Sequence, residues 1–293
     1  VLRIYGGLKI ATWVLRNRSR LSAIHANALT GLNLSLPGAI LSRRPVVVWI
    51  HDPVGSKWGR IFGPIVRRLI PDLRIAAVSR TAESVAVVNR LCDEGDARIV
   101  PNPISAEEVL APHPTPKRDV ITIGLLGGSS HRKGFDLLPA VAEELLDQPV
   151  HWILFMTKLA DDESQSVWAQ LDTLPDGLIS HPGKVTNVAE AYAQVDLVFC
   201  PSRNESFCRV AAEAMMNGLP VVASDIQPLR DLLGDDAAGI LFPTGDSHAA
   251  AAAIRTLVSD PDMRASMGEE GRRRSGEFMP EGIAHQLMGL YGL

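Results

Sequence analysis

Two carboxylates eight residues apart, Glu205 and Glu213, stand in the densest chemical stretch of the sequence, PSRNESFCRVAAEAMMNGLPVVAS at 201–224. An apolar strand pattern at 196–200 runs into Pro-Ser and a polar turn. A helical segment follows, then Gly218-Leu219-Pro220 and another apolar run. On one continuous helix the two carboxylates would stand about 12 Å apart along the axis and about 80° out of line. They are therefore not an acid–base pair on one face. With Glu205 in the turn and Glu213 in the helix, both can face a crevice above the strand ends, where doubly wound sheets bind ligands. A span of about 12 Å suits an extended ligand such as a nucleotide diphospho-sugar. The amides of Ser206, Phe207 and Cys208 at the helix start would then face its diphosphate.

Other candidate chemistry is weaker. Asp260-Pro261-Asp262 has the outline of a metal-binding D-x-D, but proline at the first helical position reads it as a helix cap. No metal is expected. Cys92, Cys200 and Cys208 are too few and too widely spaced for a disulfide framework or a zinc site. Free thiols fit a reducing cytosol. No signal peptide opens the chain, whose first residue is Val1 rather than Met. No apolar run reaches the ~18–20 residues that span a bilayer.

The elements that must position these residues follow from the apolar pattern. Strands are expected at 22–26, 46–50, 75–78, 98–100, 121–126, 150–155, 178–181, 197–200, 220–223 and 239–242. Most are unbroken Val/Ile/Leu runs, the mark of parallel strands buried on both faces. Helix-length spacers separate them, with Asp246 and Ser247 able to cap one over 248–258. Alternation of this kind gives an α/β doubly wound sheet. With 293 residues, 46% hydrophobic and 21% charged, the chain has material for one large or two medium domains. Three prolines in APHPTPKRD, 111–119, mark a linker, so two lobes are expected at 1–113 and 114–293.

Charge divides at the same place. Residues 1–80 hold thirteen Lys and Arg against Asp52 and Asp72, a net of +11, while the whole chain is at −4. Basic charge without interleaved aromatics calls for a phosphorylated molecule or an anionic membrane surface rather than nucleic acid. Lys57, Arg60, Arg67 and Arg68 surround Ile61-Phe62 and Ile65-Val66; as a helix, that segment would lie on such a surface.

The pattern PS-x2-E-x-F…E-A-M-x2-G-x-P-V-V-A-S resembles the retaining glycosyltransferases of family GT4, of GT-B fold. VVVWIHD (46–52), AAVSRTAES (76–84), VPNPIS (100–105), IGLLGGSSHRKGFDLL (123–138) and GILFPTGD (239–246) are similar to its other segments, in order, over about 250 residues. The resemblance implies two Rossmann-like doubly wound domains with a ligand cleft between them, and a terminal helix near Tyr291 that returns to the first. It implies transfer of a hexose-type sugar from a nucleotide diphosphate sugar to a hydroxyl of a saccharide or lipid-linked acceptor. By the same resemblance Glu205 would contact the transferred sugar and Glu213 the ribose. Lys133, after the Gly127-Gly128 turn, would neutralise the diphosphate. The backbone at 183–185, from Gly183 to Val185, would line the base pocket, and His51 would lie near sugar and acceptor. No cofactor is implied, and the departing phosphate can take the acceptor proton.

The sequence departs from that pattern in places. Gly128 stands where the family often has Arg, leaving a phosphate contact to Arg132. Cys208 replaces a glycine. Gln227-Pro228 replaces a glycine pair, and Asp231 the following Glu. The first lobe lacks its opening strand and glycine-rich loop, so it is expected to be incomplete, with about four strands and an open sheet edge. Another GT-B activity, such as a nucleotide-sugar epimerase or a phosphorylase, and a non-catalytic nucleotide-sugar-binding remnant stay open as alternatives.

Overall fold

The computed structural model describes residues 2–51, 57–105 and 119–292. Asp52 and residues 111–118 of the expected linker lie outside the described residues, as does the side chain of Lys57. The chain forms two compact units. Unit 1 comprises Val1–Pro103 and Pro280–Leu293, and unit 2 comprises Ile104–Met279. The division thus falls at Pro103/Ile104, ten residues before the expected 113/114.

Unit 1 carries α1 (Leu2–Asn17), β1 (Ile24–Asn27), α2 (Ala28–Ser42), β2 (Val46–Ile50), α3 (Lys57–Leu69), β3 (Leu73–Ala77), α4 (Arg80–Val88) and β4 (Arg98–Ile99). Its strands are parallel, in the order β1-β2-β3-β4. That is one direction of a winding, four strands as expected, and among the described residues β1 pairs with β2 alone. All five residues of β2 are buried. Successive side chains point to opposite faces, so both faces of this strand are covered. Ser79 starts α4 by accepting from the Ala82 amide at 3.2 Å.

The last helix, α12 (Pro280–Tyr291), also belongs to unit 1. Arg74 donates to the Leu290 carbonyl at 2.6 Å. The Tyr291 hydroxyl lies 2.8 Å from His25 Nδ1. The returning helix is thereby tied to β1 and β3.

Unit 2 runs β5 (Ile121–Gly128), α5 (Leu138–Glu144), β6 (Val150–Thr157), α6 (Asp162–Leu171), β7 (Ile179–Ser180), α7 (Val188–Tyr192), β8 (Leu197–Cys200), α8 (Arg209–Met216), β9 (Val221–Ser224), α9 (Gln227–Leu233), β10 (Gly239–Phe242), α10 (Ser247–Ser259) and α11 (Pro261–Ser275). Its six parallel strands lie in the order β10-β9-β8-β5-β6-β7. Trp152, Phe199 and Phe242 fill the core with Leu138, Leu154 and Ile254. β8 and β9 are buried throughout, as their unbroken apolar runs require. Asp246 caps α10, with Ser247 its first helical residue rather than a second cap. Asp260 caps α11 by accepting from the Met263 amide at 2.8 Å, as its Pro261 neighbour implied.

One close approach fixes α3 in unit 1. A Cβ on Gly63 would stand 1.7 Å from the Asn89 carbonyl oxygen. Gly63→Ala must push α3 off the end of α4. Such overpacking costs about 1–3 kcal/mol, so a denaturant melt of the variant should show the unit 1 transition lowered by that amount and unit 2 unmoved.

Candidate active site

The winding of unit 2 decides where its polar residues gather. From β5 the chain proceeds to β6 and β7 on one side, then crosses back to β8, β9 and β10 on the other. The reversal falls between β5 and β8, and open parallel sheets bind ligands outside the carboxyl ends at such a point. The loop after β5 carries Gly127, Gly128 and the 3-10 turn His131–Lys133. The loop after β8 carries residues 201–208, with Glu205 among them.

Lys133 and Glu205 meet there. The Lys133 ammonium forms an ion pair with Glu205 Oε1. The Ser202 hydroxyl donates to the same oxygen at 2.9 Å. Arg132 lies 3.7 Å from Oε2 and donates to the Asn204 carbonyl at 2.9 Å. Glu205 is only 8% exposed, and a carboxylate so buried needs partners of this kind.

The two loops are joined by more than this pair. Gly134 has φ +72°, and a Cβ there would lie 1.9 Å from the Pro201 carbonyl oxygen. Beside that contact Arg203 grips Asp136 through two bonds of 2.6 and 2.7 Å. It also donates to the His131 carbonyl at 2.9 Å, and its amide donates to the Arg132 carbonyl at 2.9 Å. Sequence reading missed Arg203 and Asp136. They stand 67 positions apart, and nothing in either segment announces the partner.

Glu213 lies inside α8, at 6% exposure, while Glu205 precedes the helix. The two carboxylates therefore divide between turn and helix. The Tyr192 hydroxyl donates to Glu213 Oε2 at 2.9 Å, and Arg209 reaches Oε1 at 3.1 Å. Burial, and next the Glu213 charge, hold the Tyr192 hydroxyl well above its ordinary pKa, so it stays a donor. These two donors take one oxygen each. Tyr192 was not legible in the sequence; it arrives from α7, 21 residues away.

Cys208 is the N-cap of α8, with φ +64° in the left-handed region that a glycine would fill without strain. Cys200 and Cys208 are free thiols, and a hydrogen bond between them, with burial, raises the Cys200 thiol well above its usual pKa. Helix geometry gives the first N–H groups of α8 no acceptor within the helix. Phe207 turns its ring into the core, edge-on to Phe278 at 5.4 Å. Ser206 lies in the same loop.

Gly183, at φ +87°, and Val185 follow β7, at the same carboxyl edge of the sheet. Among the described residues, nothing lies within 4 Å of where a Gly183 or Gly128 Cβ would sit. Both backbones are thus open to close approach. His51 belongs to unit 1, at the end of β2, with its ring 4.6 Å from Trp49. All other candidates belong to unit 2. Gln227 bonds Asp231 at 2.7 Å within α9, so these two departures from the GT4 pattern satisfy one another.

The family model described as glycosyl transferases group 1 matches residues 110–274, more than half of the chain. The chain belongs to that family. Among curated relatives, it is 29% identical over 224 residues to the lipopolysaccharide core biosynthesis mannosyltransferase LpcC of Rhizobium leguminosarum bv. viciae, covering 74% of this chain and 61% of that one. It is 26% identical over 288 residues to the phosphatidyl-myo-inositol mannosyltransferase of Mycobacterium leprae, covering 92% and 72%. It spans only 37% of the D-inositol 3-phosphate glycosyltransferase of Kineococcus radiotolerans, at 34% identity over 160 residues and 48% of this chain. In fold it is similar to Anabaena HepE, solved in complex with UDP, at TM-score 0.83 and 21% identity over 97% of this chain and 82% of that one. The fold is GT-B, as the sequence led one to expect.

Within this group 1 glycosyl transferase the Arg203–Asp136 clasp sets the spacing of Lys133 and Glu205. Asp136→Asn and Arg203→Gln should each cost about 1 kcal/mol for a half-buried bidentate pair. The double variant should cost little more than either, a coupling of about 0.5–1.5 kcal/mol. Strictly additive losses in urea melts would show that the loops do not depend on the clasp.

Proposed function

We propose that this chain carries the donor site of a retaining hexosyltransferase, and that the hexose comes from a nucleoside diphosphate sugar. The observation that carries the reading is the meeting of Lys133 and Glu205 at the β5/β8 reversal, with Glu213 one loop and half a helix further on. Glu205, Lys133 and Glu213 would then take the sugar, the diphosphate and the ribose, the order in which those parts follow one another along the donor. The relatives named mannosyltransferase support a hexose, and HepE, solved with UDP-glucose, supports the nucleotide form of the donor.

In this reading Lys133 and Arg132 take up the charge that develops on the departing diphosphate, which is the largest need of the reaction. They do so in place of a metal ion. The bond from the sugar C1 to the phosphate oxygen breaks, and the acceptor oxygen forms its bond to C1 on the same face. The acceptor proton passes to the leaving phosphate. Glu205 holds the sugar and, through its ion pair, keeps the Lys133 ammonium aimed at the phosphate. Glu213 accepts from the ribose hydroxyls, while the open backbone at Gly183 and Val185 admits the base. The amides of Ser206, Phe207 and Cys208, with those at Gly127 and Gly128, supply further donors. His51, in unit 1, serves the acceptor side.

The acceptor side also bears on location. In α3, Ile61, Ile65, Leu69 and Phe62 fall within an arc of about 100° and are exposed. Val66 on the next face is buried, and Arg60 and Arg68 follow on the other flank. Together with the +11 charge of residues 1–80, this supports a peripheral place on an anionic membrane from the cytoplasmic side, and so a lipid-linked or saccharide acceptor there. Among the described residues no helix is long and apolar enough to cross a membrane.

Titration with a plain nucleoside diphosphate separates the roles. Glu213→Gln should bind it about ten- to hundred-fold more weakly, the cost of a lost charged hydrogen bond. Glu205→Gln should bind it almost as wild type yet lose turnover, and chelator should leave wild-type turnover unchanged. Lys133→Met should lose the diphosphate but keep the bare nucleoside. Normal binding by all three folded variants would remove the site from this crevice. Donor hydrolysis without any acceptor would separate a transferase from a mere binder.

Sedimentation with vesicles tests the membrane reading. Anionic vesicles should carry the chain down at low salt and release it as salt rises, and Ile61→Glu should abolish the effect. Equal binding to neutral vesicles would refute it.

A further inference from the structure

A second cavity, remote in character from the crevice of unit 2, lies wholly within unit 1. It is a groove of about 280 Å³ between α2 and α3, walled by Leu29, Leu32, Leu36, Phe62, Ile65 and Leu69. Two amides, Asn33 and Asn89, also line it, but no charged side chain does, so it suits an apolar chain better than the charges of a sugar nucleotide.

Two observations say what does belong there. Leu69 also lines a wider depression whose walls include Leu41, Arg43 and Arg44. Asp72, the acid in that depression, is already held by Arg74 at 2.7 and 2.8 Å. The groove and this positively charged depression thus share Leu69 as a wall. Secondly, Asn89 lines the groove and is fully buried. Its Nδ2 donates to the Val85 carbonyl at 2.6 Å, which fixes the orientation of the amide. Its Oδ1 has no hydrogen-bond partner among the described residues. Buried acceptors are rarely left so. A ligand that entered the groove with a hydroxyl or amide N–H near its chain would satisfy it.

We infer that this groove binds the alkyl chain of a single anionic amphiphile, with Arg43 and Arg44 at its headgroup and Asn89 Oδ1 accepting from a donor on the chain. The groove shares Phe62, Ile65 and Leu69 with the exposed stripe of α3, while Ile61 of that stripe lies outside it; it takes one chain out of a lipid phase rather than lying on it. It is built from unit 1 alone and stands whether or not the proposed transfer chemistry does.

Dodecyl phosphate, kept below its micelle-forming concentration and titrated calorimetrically into the full chain, tests the site. One equivalent should bind, and each methylene removed from the probe should weaken binding about fourfold. A 3-hydroxy form of the probe should bind more tightly than the plain chain in the wild type but not in Asn89→Val. Dodecyl maltoside should bind at least tenfold more weakly, and inorganic phosphate not measurably. Leu36→Trp, which fills the groove, should abolish binding, while Ile61→Glu, outside it, should not. Should Leu36→Trp fail to fold, Ile65→Glu at an exposed wall position carries the same expectation. Binding independent of chain length, or unchanged in the folded groove variants, would overturn the proposal. So would equal affinity for the maltoside. A concentration-dependent dimer that Ile65→Glu dissolves would assign the groove to a second copy of the chain and overturn it too.

Discussion

The loops after β5 and β8 can touch only because residue 134 has no side chain. Its backbone lies against the Pro201 carbonyl with no space for a Cβ, and around that contact everything else in the crevice of unit 2 is arranged. Arg203 reaches across to Asp136, Arg132 reaches back to Asn204, and Lys133 is left pointing at Glu205. None of these polar groups would keep its geometry on loops free to part. The ion pair is thus the product of a steric constraint as much as of charge. Neither loop is a regular element, yet the pair between them is held as firmly as one within a helix.

The crevice also shows how a buried carboxylate is kept useful. Glu205 and Glu213 are both nearly inaccessible, and each has a donor set of its own: Lys133, Ser202 and Arg132 for one, Tyr192 and Arg209 for the other. Removing either carboxylate would strand positive charge or a buried hydroxyl. The two acids are therefore not interchangeable, although they sit on one loop–helix segment. Cys208 between them holds a backbone angle that favours glycine, and a side chain there adds a thiol contact to Cys200 that glycine could not make.

Much of this was legible in the residues. All ten strands overlap the expected positions, and β2, β8 and β9, buried at every residue, show why unbroken apolar runs were needed there, because a strand buried on both faces must be apolar throughout. That Glu205 and Glu213 would not share one helix face followed from their spacing of eight residues; that one lies in the turn and the other in α8 is what the structure adds. Caps at Asp246 and Asp260 were readable from local chemistry. What could not be read is whatever depends on residues meeting across many positions: the Tyr192 partner of Glu213, the Arg203–Asp136 clasp, and the groove between α2 and α3. The unit boundary was misplaced for a similar reason. Prolines and a change of charge mark where a chain is irregular, whereas a unit ends where its packing ends, at Pro103.

The discontinuity of unit 1 has a consequence for how the molecule comes to exist. Strands β1 to β4 leave the ribosome before unit 2, but α12, which ties to them through Arg74 and through His25, is made only after all of unit 2. Unit 2 is one continuous stretch and can close as soon as it is synthesised. Unit 1 must wait, its early half exposed for the time needed to make some 180 further residues, about 9–36 s at ~5–20 residues per second. The usual order, amino-terminal part first, is reversed. The half-finished unit is the species that a chaperone would meet, and anything that slows translation through the second unit lengthens that exposure.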